Sequence, residues 1–466
     1  MEPITAQVDR LTVKLRLGQD YEGFVQRGGV TSALQSIAET LGLPASDLRL
    51  VDVRPGCVLM ILELPETAAR QLLTIGGNNA PEALRKLGES LNIVRVTPGD
   101  AVEAVNFIPN RDVLFKADLC WLHISDLHIK ADYDDPKSDT NADLQRFLAD
   151  LPTCLDDASV KPDVVFFTGD VAQSGSAEEY DHALSFFAKL KQALPEDSRN
   201  APLLTVPGNH DVTWTEIDHE QEIRLRRMLR QAKDLGSVLR EHGEYIIKRQ
   251  REFRRFLEKR QGPSQVDSSD GVSYTKSFSA PARGIRVGVA GLNSSWLSTR
   301  KDLLQGRGDA SDLVPDLDLQ YLRLGSEQLR VANRSLDQQG VNIRIALMHH
   351  EPLSQWYSEF DRATQRQELT DYHFILRGHQ HETQARIGSK VLGQEDFSEL
   401  APGAVHTQPH WYQGFMTTEL DLSKHLIKLR AWTVGNQTRR WVPDPEFGTR
   451  GVDMRLLTKR LPSVAR

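Results

Sequence analysis

Along the first hundred residues the apolar positions switch between the two-residue spacing of a strand and the three-to-four-residue spacing of a helix. They predict a strand over 11–17, a helix over 30–43, strands over 48–53 and 57–64, a helix from 66 to about 91, and a strand over 93–96. Between the middle strands, Arg54-Pro55-Gly56 presets one backbone angle and frees another, which makes a hairpin. The order β-α-β-β-α-β packs as a small α+β, ferredoxin-like sandwich, here residues 1–100. None of its residues looks catalytic.

Thr97-Pro98-Gly99-Asp100 marks the exit from that domain, and 101–117 reads as a linker. Strands are then predicted over 120–124, 164–167, 203–206, 285–290 and 343–348, with helices over 177–194 and 326–336. Such alternation favours a layered α/β architecture. From about 215 to 262 the pattern becomes purely helical. Leu225, Met228, Leu229, Ala232, Leu235, Val238 and Leu239 keep three- and four-residue spacing, and Phe253, Phe256 and Leu257 continue the stripe beyond Gly243. A helical hairpin inserted into the α/β domain is the simplest reading. The second domain is placed at 118–441 and a C-terminal tail at 442–466.

A length of 466 residues suits two or three domains. Hydrophobic residues at 39% and charged residues at 26% exclude a disordered chain. No apolar run approaches the roughly 20 residues a membrane helix needs. The N-terminus has no apolar signal-peptide core, so a cytoplasmic protein without membrane attachment is expected. Cys57, Cys120 and Cys154 supply neither a disulfide framework nor a paired-cysteine metal site. Any metal must therefore be held by His, Asp and Asn.

Five short clusters close predicted strands, where α/β folds place their ligands. They are Ser125-Asp126-Leu127-His128, Gly169-Asp170, Pro207-Gly208-Asn209-His210-Asp211, His349-His350-Glu351-Pro352 and Gly378-His379-Gln380-His381. Each alone is weak, since a lone His is usually a satisfied polar residue. Five in succession, each beside a turn residue, point to one site.

In order and spacing from Asp126 to His381 these clusters resemble the calcineurin-like metallophosphoesterase superfamily, over roughly residues 118 to 435. Their HHEP and GHQH forms look most like its cyclic-nucleotide-phosphodiesterase-like branch. The resemblance implies a four-layer α-β-β-α sandwich and two divalent ions, Mn²⁺ first, with Fe or Zn²⁺ as alternatives. It assigns Asp126, His128 and His381 to one ion, Asn209, His349 and His379 to the other, and Asp170 to the bridge; His349 is preferred over His350. Two carboxylates among the seven ligands, together with a bridging hydroxide, leave such a two-ion centre with about one net positive charge, so phosphate is the expected guest. The implied chemistry is hydrolysis of phosphodiester bonds by a two-metal-activated hydroxide. His210, with no ion to bind, is assigned as general acid or transition-state donor; Asp211 would at most orient a neighbour.

The protein-phosphatase branch follows its GD with Y-V-D-R-G, whose Arg grips a monoester and whose Asp supports the histidine. Here Gln173 and Ser174 stand in that stretch. A monoanionic diester is therefore the expected substrate, either a cyclic nucleotide or, as the alternative, DNA or RNA, as in the break-repair nucleases of the superfamily, with the protein then acting as effector of a larger assembly. From Glu222 to Arg260 there are thirteen Lys and Arg against six Asp and Glu, within a chain of net charge -7. That excess reads as a solvated face, an oligomer contact, a lid, or a nucleic-acid arm. Trp411 and Tyr412, near His406 and His410, are expected to pack the sandwich edge rather than stack a base. The N-terminal domain is expected to be a regulatory or docking module for a protein partner.

Overall fold

The computed structural model describes residues 10–20, 29–44, 47–54, 57–73, 81–91, 93–98, 115–135, 138–231, 235–261, 271–280, 284–299, 318, 320–391, 394–406, 412–435, 438–448 and 451–457. The chain divides into two compact units, the described residues up to Pro98 and those from Phe115 onward. Most of the expected linker lies outside the described residues.

In the smaller unit β1 (Arg10–Asp20), α1 (Gly29–Leu41), β2 (Arg49–Arg54), β3 (Cys57–Pro65), α2 (Glu66–Leu72), α3 (Glu82–Ser90) and β4 (Ile93–Pro98) follow one another. The antiparallel sheet has the order β2-β3-β1-β4. Val13, Leu15 and Leu17 of β1 and Met60, Leu62 and Leu64 of β3 share its buried face, because side chains two apart on a strand point the same way. Ala33 and Ile37 of α1, Ala69 of α2 and Leu87 of α3 belong to the same core. The single helix expected over 66–91 is two helices. Gly76-Gly77-Asn78-Asn79 and Pro81, all poor helix formers, stand in the sequence between them.

The larger unit contains β5 (Leu119–Ile124), α4 (Asp139–Asp157), β6 (Val164–Phe167), α5 (Ala177–Ala193), β7 (Leu203–Thr205), α6 (His219–Gln231), α7 (Leu235–Lys248), α8 (Arg251–Gln261), β8 (Tyr274–Ser279), β9 (Arg286–Gly291), α9 (Ser326–Gln338), β10 (Ile343–Leu347), α10 (Glu359–Glu368), β11 (Phe374–Leu376), β12 (Thr383–Val391), β13 (Gln394–Pro402), β14 (Gly414–Asp421), β15 (Leu426–Val434), β16 (Trp441–Pro443) and β17 (Val452–Leu456). One mixed sheet runs β16-β15-β14-β5-β6-β7, with β17 also on β15; the other runs β12-β13-β11-β10-β9-β8. The central strands β5, β6 and β7 are parallel, as are β9, β10, β11 and β13, so their carboxyl ends share an edge within each sheet.

Alternation along the strands builds the layers. Trp121, Val164 and Phe166 of the first sheet pack with Val289, Ile345 and Phe374 of the second, between the sheets. Their neighbours Leu122, Val165 and Phe167 face outward onto Phe147 of α4, Phe186 of α5 and Phe256 of α8. On the far side Ala290, Ala346 and Ile375 meet Leu329 of α9, Leu225 of α6 and Ile246 of α7. The result is the four-layer α-β-β-α sandwich. Residues 442–466, expected as a tail, are in part sheet: β16 and β17 both pair with β15, and Met454 is buried. Those strands are only three and five residues long, too short to show a period.

The inserted hairpin is three helices. Gly243 lies inside α7, and the real break is at Arg249-Gln250. Because α6 and α7 join the core outside the second sheet while α8 joins the one outside the first, the insertion ties both outer layers together. Its basic excess is largely consumed internally. Arg226 and Arg249, 1% and 0% exposed, hold the fully buried Glu222 from two sides at 2.8 and 3.0 Å. Lys248 and Arg251 pair with Glu216, Arg224 with Glu220, and Lys259 with Asp181. Those acids lie outside the 222–260 window, which is why the count made the segment look unneutralised.

Burial alone would raise the Glu222 carboxyl above its ordinary 4.5, but Arg249 and Arg226 bring it below. Its contribution to stability is therefore complete above about pH 4.5 and is lost as the pH falls through the folded value. Glu222→Ala, which strands two buried guanidinium groups, should cost about 3–5 kcal/mol in urea unfolding, whereas exposed Arg224→Ala should stay within about 0.5 kcal/mol. Similar losses in the two variants would contradict this account.

Candidate metal centre

All five motif loops leave strands at the shared edge; main-chain hydrogen bonds join the first to the second and the fourth to the fifth, and the third is tied to the second through the Asp170 and Asp211 carboxylates. Asp126 N–H donates to Gly169 O at 3.0 Å, His128 N–H to Asp170 O at 3.0 Å, and Gly378 N–H to His349 O at 3.1 Å. Among the described residues ten non-glycine positions have positive φ, and five of them are Asp126, His128, Asp170, His379 and His381. Each such residue costs roughly 1–3 kcal/mol, a strain that clusters where surrounding structure enforces a special geometry.

The motif glycines are explained by lack of space. A Cβ on Gly208 would collide with the Asp170 carboxylate, one on Gly378 with the Ser125 hydroxyl, and one on Gly169, whose φ is 99°, would come within 2.5 Å of His349 Nδ1.

The donor atoms form two groups around one carboxylate. In the first, His381 Nε2 lies 3.2 Å from Asp126 Oδ1 and 3.4 Å from His128 Nε2. In the second, Asn209 Oδ1 lies 3.0 Å from both His349 Nε2 and His379 Nδ1. Asp170 stands between them, its Oδ2 3.7 Å from His128 Nε2 and 3.3 Å from His349 Nε2. Carboxylate and imidazole atoms of Asp126, His128 and His381, of His128, Asp170 and His210, and of Asp126, Asp170 and His349 form clusters compact enough to hold ions. His350 turns away to Ser294 Oγ at 3.0 Å.

Electrostatics prepare these donors. Burial, aided by the neighbouring His210, pushes His128 down to about 3, and burial with His349 pushes His379 far below the usual range. Both are neutral imidazoles at pH 7, the form that ligates. For Asp170 burial works upward but His349, His210 and His128 outweigh it, so it stays ionised well below the usual carboxylate range. His349 shows the reverse balance: burial opposes protonation, yet Asp170 and Asp126 raise it to about 9. A site that draws a proton so strongly will also accept a divalent cation in its place.

His210 is half-buried beside His128, ring centroids 4.6 Å apart. Its backbone N–H donates to Asp170 Oδ1 at 2.8 Å, and its Nδ1 is 2.8 Å from the Gln173 carbonyl oxygen. Ser174 instead donates its N–H and its hydroxyl to the Glu179 carboxylate of α5, at 2.9 and 2.8 Å. Asp211 does more than its sequence position suggested. Wholly buried, it accepts N–H bonds from Gly208, Val171 and Ala172 at 2.8, 3.2 and 3.0 Å and the Tyr180 hydroxyl at 3.0 Å, locking two donor loops together. Thr168 was missed: its carbonyl accepts His349 Nδ1–H at 2.7 Å and so orients the ring, a main-chain role with no side-chain signal. His406 contacts Asp143 and Thr140, and Tyr412 bonds Thr383 and Asp444 at 2.6 Å, both packing roles; Trp411 and His410 lie outside the described residues.

Gly208→Ala should abolish stoichiometric metal binding, because Asp170 cannot keep its place, whereas Gly243→Ala, with open space around its Cβ, should bind metal normally and gain up to about 1 kcal/mol of stability. Elemental analysis of the purified variants checks both, and full metal in Gly208→Ala would refute the steric argument.

Comparison with known proteins agrees with this geometry. A family model described as calcineurin-like phosphoesterase matches residues 121–383, more than half of the chain. No curated protein matches. Among solved structures, a single mutant of Vps29 from Entamoeba histolytica is 13% identical over 70% of this chain and 97% of its own, with TM-score 0.25. The sulfate thiohydrolase SoxB from Thermus thermophilus is 11% identical over 76% and 59%, with TM-score 0.32. A predicted phosphoesterase from Streptococcus pneumoniae is 10% identical over 68% and 91%, with TM-score 0.22. These likenesses are too distant to carry further argument. The chain belongs to the calcineurin-like phosphoesterases, a family of metal-dependent phosphoester hydrolases that hold two divalent ions.

Proposed function

We propose that this protein is a metal-dependent phosphodiesterase. Asp126, His128 and His381 would hold one ion, Asn209, His349 and His379 the other, with Asp170 shared; Mn²⁺ is the first choice. Two ions bound there would supply Lewis-acid charge and make a nucleophilic water more acidic. His210 carries the leaving-group proton. The Gln173 carbonyl fixes its Nδ1–H, which leaves Nε2 for the substrate.

The observation that carries the diester assignment is the surroundings of His210. The histidine is supported by a main-chain carbonyl and lies 3.4 Å from the neutral Gln173 amide, and Gln173 and Ser174 stand where the phosphatase branch has its Asp and Arg. Without that branch's arginine, whose place Ser174 takes, a dianionic monoester has one charged partner fewer, which favours a monoanionic diester. A nuclease is the second reading, favoured by aromatic residues at the site rather than by the internally paired insertion. The N-terminal unit, with its own hydrophobic core, would serve as a docking or regulatory module. No helix among the described residues is long and apolar enough to cross a membrane.

With Mn²⁺, turnover of bis(4-nitrophenyl) phosphate should exceed that of 4-nitrophenyl phosphate, and Asp170→Ala or His379→Ala should abolish it along with metal binding. Faster monoester turnover would overturn the assignment. His210→Ala should retain both ions yet slow an alkyl diester by about 10²–10⁴-fold, and the nitrophenyl diester far less, since a good leaving group needs little protonation. Equal slowing of both substrates would remove His210 from that role.

A further inference from the structure

Two tryptophans border the donor cluster, one beside each half. Trp214, half-buried, has its ring 5.6 Å from His210, which itself abuts His128 of the first group. Trp356, also half-buried, is edge-on to His379 of the second group at 5.3 Å. Neither belongs to the donor set. Both residues are only partly buried, and Trp356 packs against the core outside the second sheet.

Both rings sit on fixed backbone. Trp214 N–H donates to Ser174 O at 3.0 Å, and the preceding Thr213 is tied to Arg249 O at 2.7 Å and Gly175 O at 2.9 Å. Glu216, in the same turn, takes Lys248 and Arg251 from the inserted helices. The insertion's Lys248 and Arg251, with the Arg249 carbonyl, thus hold the Trp214 turn against the loop that supports His210. On the other flank Leu353 adopts a left-handed backbone with φ 58°, costly for a bulky residue, and its N–H is held by Gln365 Oε1 at 2.8 Å. Leu322 N–H then binds Trp356 O at 3.1 Å.

We propose that Trp214 and Trp356 are stacking platforms for the groups on either side of the scissile phosphate, so that the substrate is a single-stranded nucleotide diester with an unpaired base on each side. This rests on the phosphodiesterase reading and names its substrate class. Aromatic platforms hold single-stranded nucleic acid because every base offers a π-face, whereas a duplex keeps its bases stacked on one another. A cyclic mononucleotide carries one base and would use one platform; a duplex would use neither.

The test is equilibrium binding to the full-length, Mn²⁺-loaded protein of a non-hydrolysable dinucleotide methylene-phosphonate analogue, against the same backbone without bases. Wild-type protein should bind the base-bearing analogue about tenfold tighter or more, Trp214→Ala and Trp356→Ala should each lose most of that advantage, and Trp→Tyr at either position should restore it. Affinity for the base-free analogue should be unchanged in all variants, which also reports that they are folded. Equal affinity of wild type for the two analogues, parallel loss of both in the alanine variants, or no dinucleotide binding at all overturns the proposal. Turnover is read separately on the natural dinucleotide. Base-dependent binding without cleavage would remove the diesterase reading while leaving the platforms in place.

Discussion

The Asp170 carboxylate is the point on which the loops of the larger unit must agree. One oxygen accepts the His210 N–H and the other faces His128 and His349, so three loops have to deliver groups to a space of a few ångströms. That crowding leaves no room for a Cβ at Gly208. It accompanies left-handed backbone at Asp170 itself and at four further donors. The strands of two sheets, packed face to face through Trp121, Phe166 and Phe374, are stiff enough to enforce it.

Two buried carboxylates near that point are handled in opposite ways. Asp211 is surrounded by donors, three N–H groups and a hydroxyl, and joins loops together; burial and the charge of Asp170 push it up to about 7 even so. Asp170 is left facing imidazole nitrogens, which lower it instead. The first arrangement satisfies a negative group within the protein. The second leaves negative charge and nitrogen lone pairs pointing at the same volume, which is the condition for holding cations.

Much of this was legible in the sequence because a donor that must sit just past a strand end, beside a turn, leaves a local signature. Strand β6 was predicted to the residue, and all eight candidate site residues meet in one place. The rest depends on contacts between distant residues. A charge count over 222–260 cannot tell that Arg226 and Arg249 are interior, nor that Glu216 and Asp181 neutralise their neighbours. Asp211 promised at most to orient a neighbour, because its partners Val171 and Ala172 lie in another loop. Trp214 and Trp356 carry no motif at all. Only the closure of the sandwich brings them to one rim.

The order of strands in the first sheet has a consequence for how the protein is made. β5 delivers Asp126 and His128, yet its neighbour β14 is built from Gly414–Asp421, and β15, β16 and β17 come later still. A ribosome therefore produces every candidate metal donor before it produces the strand that covers the edge of β5. Until then the nascent chain carries a complete set of motifs on a half-built sheet, with an apolar strand edge open to mispairing. Carrying the motifs and being able to hold them are separated in time by the synthesis of β14.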